Sequence, residues 1–501
     1  MTDTLFDHLL SPATDPARLA IETADGARLS YGDLRAATGR MANVLVALGA
    51  RPGDRVAVQV EKSVEALVLY LACLRAGVVY LPLNTAYTPA ELAYFVGDAE
   101  PALIVCDPAR LDATVALAAG APVRTLDAQG RGSLSDAAAG QPDDFATVAR
   151  GADDLAAILY TSGTTGRSKG AMLTQGNLLS NARVLQTEWR FGADDVLLHA
   201  LPIFHTHGLF VACNLVLLSG ASMVLLPRFD PADVLARLPA ATVMMGVPTF
   251  YTRLLGQSGL TPEACRTIRL FVSGSAPLLA ETHRAWEERT GHRILERYGM
   301  TETGMLTSNP YDGDRIAGTV GFPLPGVDLR ITDPATGEPL EAGAIGAIEV
   351  RGPNVFKGYW RMPEKTAAEF RPGGFFITGD LGRIDERGYV HIVGRGKDLI
   401  ISGGFNVYPK EVEGEIDALP GVLESAVIGI PHPDFGEGVV ALVVPDGKTP
   451  VTEAGVLAAL KERLARYKQP KRVVLVAELP RNSMGKVQKA ELRNVHAGVF
   501  G

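Results

Sequence analysis

The sequence predicts an α/β fold in two unequal domains, and three observations carry that expectation. Residues up to about 300 alternate short β-rich runs with amphipathic helical runs, from about Gly318 short strands and Gly/Pro turns take over, and after Lys397 a fresh α/β alternation begins. At 501 residues the chain exceeds one ordinary core, and 47% hydrophobic with 21% charged residues is the composition of a globular protein.

The strands follow in order. Residues 55–60 (Arg-Val-Ala-Val-Gln-Val) read as a strand, 63–75 as a helix closed by Gly77, and 103–106 and 155–159 as buried strands. The rhythm returns at 223–226, 241–245 and 270–273, and strands separated by helices imply parallel sheets with crossover helices. Residues 208–227 carry no charge over a length that would span a bilayer, but the turn Ser219-Gly220-Ala221-Ser222 divides them. They therefore read as a buried helix (209–218) and a strand, with no membrane span. The runs 327–331, 346–351, 375–378, 382–385 and 389–393 look antiparallel and predict a small, barrel-like sheet beside the parallel ones. A helix at 409–418, strands at 424–430 and 439–444 and a helix at 452–466 complete a small α+β unit, with the boundary at Lys397 (1–396 and 397–501).

A net charge of -8 with dispersed basic residues excludes a general nucleic-acid binder. Cys73, Cys106, Cys213 and Cys265 are widely spaced in apolar runs and read as reduced buried thiols. The acidic start Thr2-Asp3-Thr4-Leu5-Phe6-Asp7 has no apolar signal region, so a cytoplasmic location is expected.

The densest chemistry lies in Tyr160-Thr161-Ser162-Gly163-Thr164-Thr165-Gly166-Arg167-Ser168-Lys169-Gly170, directly after the 155–159 strand. Glycines admit main-chain N–H groups to phosphate oxygens, hydroxyls add neutral donors, and Arg167 and Lys169 offset negative charge, so the loop suits a polyphosphate. It is not a Walker A loop, because Ser168 stands where the second glycine belongs and Gly170 where Ser or Thr would hold Mg²⁺. Gly394-Arg395-Gly396 opens like a dinucleotide fingerprint, but Leu399 replaces its third glycine.

Further strings follow: Tyr298-Gly299-Met300-Thr301-Glu302-Thr303, Thr378-Gly379-Asp380, Gly394-Arg395-Gly396-Lys397-Asp398 and Pro480-Arg481-Asn482-Ser483-Met484-Gly485-Lys486. In this order and spacing, over nearly the whole chain, the five resemble the acyl-CoA synthetases of the ANL (adenylate-forming) superfamily. The resemblance implies two half-reactions. A carboxylate attacks the α-phosphate of ATP to give an acyl adenylate and pyrophosphate, and the thiol of CoA then displaces AMP.

It also implies roles. Thr161, Ser162, Gly163, Thr164, Thr165 and Lys169 would clamp the phosphates, Tyr298 would stack on adenine, Thr301 would contact the α-phosphate and Glu302 would hold Mg²⁺. Gly274, Ser275, Ala276, Glu296 and Arg297 extend the nucleotide site, with Asp380 and Arg395 at the ribose. Lys486 would bridge carboxylate and α-phosphate from a mobile C-terminal domain. Lys397 would be the hinge, and Gly403 and Gly404 would approach the adenylate and line the pantetheine tunnel in a second state. Acetylation would erase the Lys486 charge, so an acetyltransferase and a deacetylase are expected partners. Ser168, Gln175 and Lys489 depart from the family's common Pro, His and Arg without removing a needed group.

His207, Arg228, Ser275 and Met300 are the expected walls of the acid pocket. His205 and His207 would share one face if extended. An Arg228 turned inward would favour a short dicarboxylate, because a fatty or aromatic acid leaves that cation unpaired. The pocket resembles that of malonyl-CoA synthetases, so malonate, with methylmalonate tolerated, is the expected acid. A medium-chain or aryl acyl-CoA ligase, a carrier-loading adenylation enzyme and a non-catalytic nucleotide-binding regulator are the alternatives.

Overall fold

The computed structural model describes residues 4–11, 13–161, 168–482 and 485–500. Six parallel strands, Leu295–Met300, Leu270–Ser273, Val243–Gly246, Val196–His199, Ser222–Leu225 and Leu19–Thr23, form the centre of a nine-stranded sheet with antiparallel additions at both edges. A second, six-stranded sheet runs Val123–Thr125, Leu103–Cys106, Arg55–Gln59, Val79–Pro82 and Leu155–Thr161 in parallel. Its last strand, Lys169–Thr174, turns back antiparallel on Leu155–Thr161. Ser162, Gly163, Thr164 and Thr165, which fall between these two strands, lie outside the described residues.

Local chemistry fixes the crossover helices. In Val64–Arg75 the Ser63 hydroxyl accepts the Ala66 N–H at 3.1 Å, and Gly77 takes the positive φ of 70° that lets the chain leave the helix. Apart from Glu65 every residue of that helix is buried, because it fills the largest core, to which both sheets contribute. Thr88 with Glu91 and Thr174 with Asn177 form reciprocal capping boxes on two further helices.

Three expectations change in detail. The uncharged run 208–227 opens as a π-helical turn, His207–Cys213, before Asn214–Leu218, so His205 and His207 are not extended. Among the described residues no helix is long and apolar enough to cross a membrane. The runs 375–378 and 382–385 are one strand, Phe376–Ile384, whose Gly379 (φ 73°) is an irregularity within the strand and not a break. The antiparallel unit is a four-stranded sheet in the order Asp328–Thr332, Gly346–Arg351, Phe376–Ile384, Val390–Arg395.

Beyond Gly396–Asp398 a five-stranded sheet, with Val422–His432 and Gly436–Pro445 at its heart, carries helices Pro409–Asp417 and Glu453–Lys461. Its two buried clusters draw only on residues from Ile400 onward. A separate core is what allows a segment to move as a body.

Candidate active site

The carboxyl ends of the parallel strands face the C-terminal sheet across a cleft of about 340 Å³. This is where open α/β sheets place ligands. Ser275, Ala276, Glu296, Arg297, Tyr298, Asp380, Arg395 and Lys486 all line it.

The antiparallel pairing sets Asp380 directly opposite Arg395. Arg395 Nε lies 2.8 Å from Asp380 Oδ1, and the Tyr298 hydroxyl donates to Oδ2 at 2.5 Å. Burial and the adjacent Asp380 carboxylate hold the Tyr298 phenol well above its usual range. Glu296 is buried; its Oε1 accepts the Leu278 N–H at 3.2 Å while Oε2 has no partner among the described residues. Desolvation pushes the Glu296 carboxyl up to about 8. A mostly protonated carboxyl there can both donate and accept, which suits the edge of a base.

A second cluster lies around Thr161 and Lys169. Glu302 is 5% exposed, and its Oε1 meets the Tyr359 hydroxyl at 3.2 Å and that of Thr161 at 3.4 Å. Burial raises its carboxyl, against the opposing pull of a hydrogen bond from its own backbone and of the Arg395 charge. A buried carboxylate at the strand ends Thr161 and Lys169 fits Mg²⁺, which takes few protein ligands and several phosphate oxygens. Lys169 Nζ stands 2.9 Å from Glu369 Oε1 and 4.1 Å from the centre of the Tyr359 ring. Thr301 is half-buried beside Asn177, Asn181 and Asn354.

The acid side holds the main surprise. Arg228 is exposed just beyond strand Ser222–Leu225 and stands outside the cleft lining. Its neighbour Phe229 is the residue that packs, stacking on Phe250 at 3.9 Å, and this leaves Arg228 emerging into solvent. The buried cation lining the cleft is Arg297, 3% exposed, with Nε and Nη2 lacking partners among the described residues. Desolvation lowers it to about 9, so it stays charged at neutral pH. Gly274 is required against it, since a Cβ there would lie 2.4 Å from the guanidinium carbon. The next residue, Ser275, adopts φ 72°, a left-handed conformation that places its Oγ 3.1 Å from His207 Nδ1. Burial holds the His207 imidazole neutral, well below its ordinary range, and its Nε2 has no partner among the described residues. Met300 is half-buried at the end of its strand. Among the described residues no group of three His, Cys, Asp or Glu side chains is arranged to hold a metal.

The C-terminal domain brings Lys486 into the cleft. Its N–H donates to Asn482 Oδ1 at 2.9 Å, and the preceding Gly485 (φ 75°) packs against Thr249, which an added Cβ would meet at 3.2 Å. Burial lowers Lys486 to about 8, with Arg395 adding to the effect. Lys397 is exposed in the single turn Gly396–Asp398, while Gly403 and Gly404 are exposed and away from the cleft lining.

Residues 11–360 match the family model described as AMP-binding enzyme, and 411–486 match that of the AMP-binding enzyme C-terminal domain. The chain belongs to the AMP-binding enzyme family. Among solved structures, ATP-bound MatB from Rhodopseudomonas palustris is 65% identical over 100% of both chains with a TM-score of 0.98, against 0.87 for apo MatB. The arrangement of this AMP-binding enzyme is therefore nearer to that of the nucleotide-bound relative. Feruloyl-CoA synthase from Amycolatopsis sp is 39% identical, covering 93% of this chain and 94% of its own. Malonate–CoA ligase from Arabidopsis thaliana is 35% identical, covering 95% and 86% respectively.

Tyr359 and Glu369 of this AMP-binding enzyme were not expected at the site. The one sequence signal was Gly358-Tyr359-Trp360, an aromatic pair after a turn residue; nothing marks Glu369 in its charged helix.

Proposed function

We propose that the protein is an AMP-forming malonate–CoA ligase. The observation that carries the choice of acid is Arg297, a buried guanidinium with unpaired donors at the cleft, beside His207 and Ser275. Burying that cation without a counter-charge costs on the order of several kcal/mol, which the second carboxylate of a short diacid would offset. Malonate–CoA ligases among the relatives support the same reading.

Thr161 and Lys169, with the loop 162–165, hold the β- and γ-phosphates, and Thr301 meets the α-phosphate. Glu302 holds Mg²⁺, which supplies charge neutralisation on the phosphates when bound. Tyr298 packs on adenine, and Asp380 with Arg395 take the ribose. Lys486, already in the cleft, stabilises charge as the carboxylate attacks. The division near Lys397 then lets the C-terminal domain turn, withdrawing Lys486 and bringing Gly403 and Gly404 to the CoA thiol. Acetylation of Lys486 in the cytoplasm would switch off the first half-reaction alone.

The deciding experiment is an ATP/CoA assay over malonate, methylmalonate, acetate, octanoate and ferulate, with AMP release followed without added carrier protein. Malonate is expected to win, and a preference for octanoate or ferulate would sink the reading. Lys397→Pro fixes φ in the connecting turn. It is expected to slow thioester formation at least tenfold with adenylation nearly intact, as pyrophosphate exchange would show; equal losses would count against a hinge there.

A further inference from the structure

We propose that Glu369 is a positioning residue that holds Lys169 and, through Tyr359, leaves Glu302 open for the metal–nucleotide complex. The inference rests on Lys169 being a phosphate contact.

The strap that carries Glu369 is bonded to the hairpin that carries the phosphate loop. Trp360 N–H donates to Gly170 O at 2.8 Å, Met172 N–H to Gly358 O at 2.9 Å, and Lys357 N–H to Met172 O at 3.0 Å. Helix Pro363–Ala368 then brings the chain back, and Glu369, its C-terminal cap, is fixed when Ile377 N–H donates to its carbonyl at 2.8 Å. The Glu369 carboxylate is held at three further points: Lys169 Nζ at 2.9 Å, Lys365 Nζ at 2.8 Å and the Tyr359 hydroxyl at 2.7 Å.

Side-chain exposures of 12% for Lys169 and 19% for Glu369 take this pair out of the class of screened surface bridges that contribute nothing. An unanchored lysine would spread over many rotamers and lose that freedom on binding phosphate. Here one side of the ammonium is bound by Glu369 and another lies over the Tyr359 ring, so the remaining donor is aimed in advance. Lys365 stays on the same Glu369 oxygen, so the carboxylate keeps a counter-charge when phosphates engage Lys169.

Tyr359 links this pair to Glu302. Its hydroxyl has one proton, and Glu369 at 2.7 Å outcompetes Glu302 at 3.2 Å for it. Glu302 Oε1 is left with the weaker Thr161 hydroxyl contact at 3.4 Å. Without Glu369 the Tyr359 proton would turn to Glu302 and compete with a cation for that carboxylate.

The test is calorimetric titration of the full-length enzyme with ATP in the presence of Mg²⁺, for the parent, Glu369→Ala, Glu369→Gln, Lys169→Ala and the Lys169/Glu369 double variant. Glu369→Ala is expected to weaken MgATP roughly tenfold, with Glu369→Gln recovering part of the loss because its amide oxygen still accepts from Lys169. The double variant is expected to lose less than the sum of the two single losses, because the hold on Lys169 is counted in both, while the effect through Tyr359 remains. Thioester formation from preformed acyl adenylate should stay within twofold in Glu369→Ala, which separates positioning from a general loss of folding. MgATP bound as tightly by Glu369→Ala as by the parent, or losses that add in the double variant, would overturn the proposal. If Lys169→Ala itself binds MgATP normally, the phosphate role of Lys169 fails instead.

Discussion

Lys486→Ala is expected to slow adenylate formation by about 10²–10³-fold, while the variant still converts preformed malonyl adenylate and CoA to thioester at close to the parental rate. The expectation follows from position: Lys486 lines the cleft with Tyr298, Asp380 and Arg395, yet it is carried by a loop of a domain with its own core. Its contribution belongs to the step in which carboxylate and triphosphate share that cleft. Carboxylate-dependent pyrophosphate exchange reads the first half-reaction, and AMP release from supplied adenylate reads the second. Equal loss of both would refute the division. The pH dependence gives the same residue a second signature. Burial lowers Lys486 to about 8, so the free enzyme carries the cation below that pH and loses it above. kcat/KM for ATP in exchange is therefore expected to fall towards tenfold per pH unit above about 8, and Lys486→Arg should flatten the alkaline limb. A parental profile level to pH 10 would contradict it.

Arg297→Met is expected to lower kcat/KM for malonate by about 10²–10³-fold, since removing one member of a buried ion pair strands the other. The same change should leave a monocarboxylate such as butyrate unaffected or improved, because the buried cation that opposed it has gone. Arg228→Met, at an exposed position, should cost malonate less than fivefold. If Arg228→Met were the more damaging change, the second carboxylate would have to lie at the strand end and not beneath Ser275.

The contrast between these two arginines shows where the sequence was legible. The parallel strands, the change of character near Gly318 and the fresh pattern after Lys397 all follow from hydrophobic periodicity, and the strands at Leu103–Cys106 and Leu270–Ser273 have the expected bounds. Tyr298, Asp380, Arg395 and Lys486 meet at one cleft although up to 188 positions separate them (486 − 298), because each was marked by its own glycine-containing string. The acid pocket had no such string. Whether an arginine turns inward depends on which neighbour packs: at Arg228 it is Phe229, and at Arg297 a missing Cβ at Gly274 makes room. The bent entry of His207–Cys213 and the Tyr359–Glu369 link are likewise tertiary outcomes, invisible to a local pattern.

The bond between Tyr298 and Asp380, with Arg395 on the other carboxylate oxygen, bears on how a turnover ends. A ribose bound at Asp380, as proposed above, would displace partners that are already in place, so sugar recognition would be an exchange of hydrogen bonds and add little net affinity. Once CoA has displaced AMP from the acyl adenylate, these groups would close on one another again as the nucleotide leaves, and the cleft would clear for the next molecule of ATP.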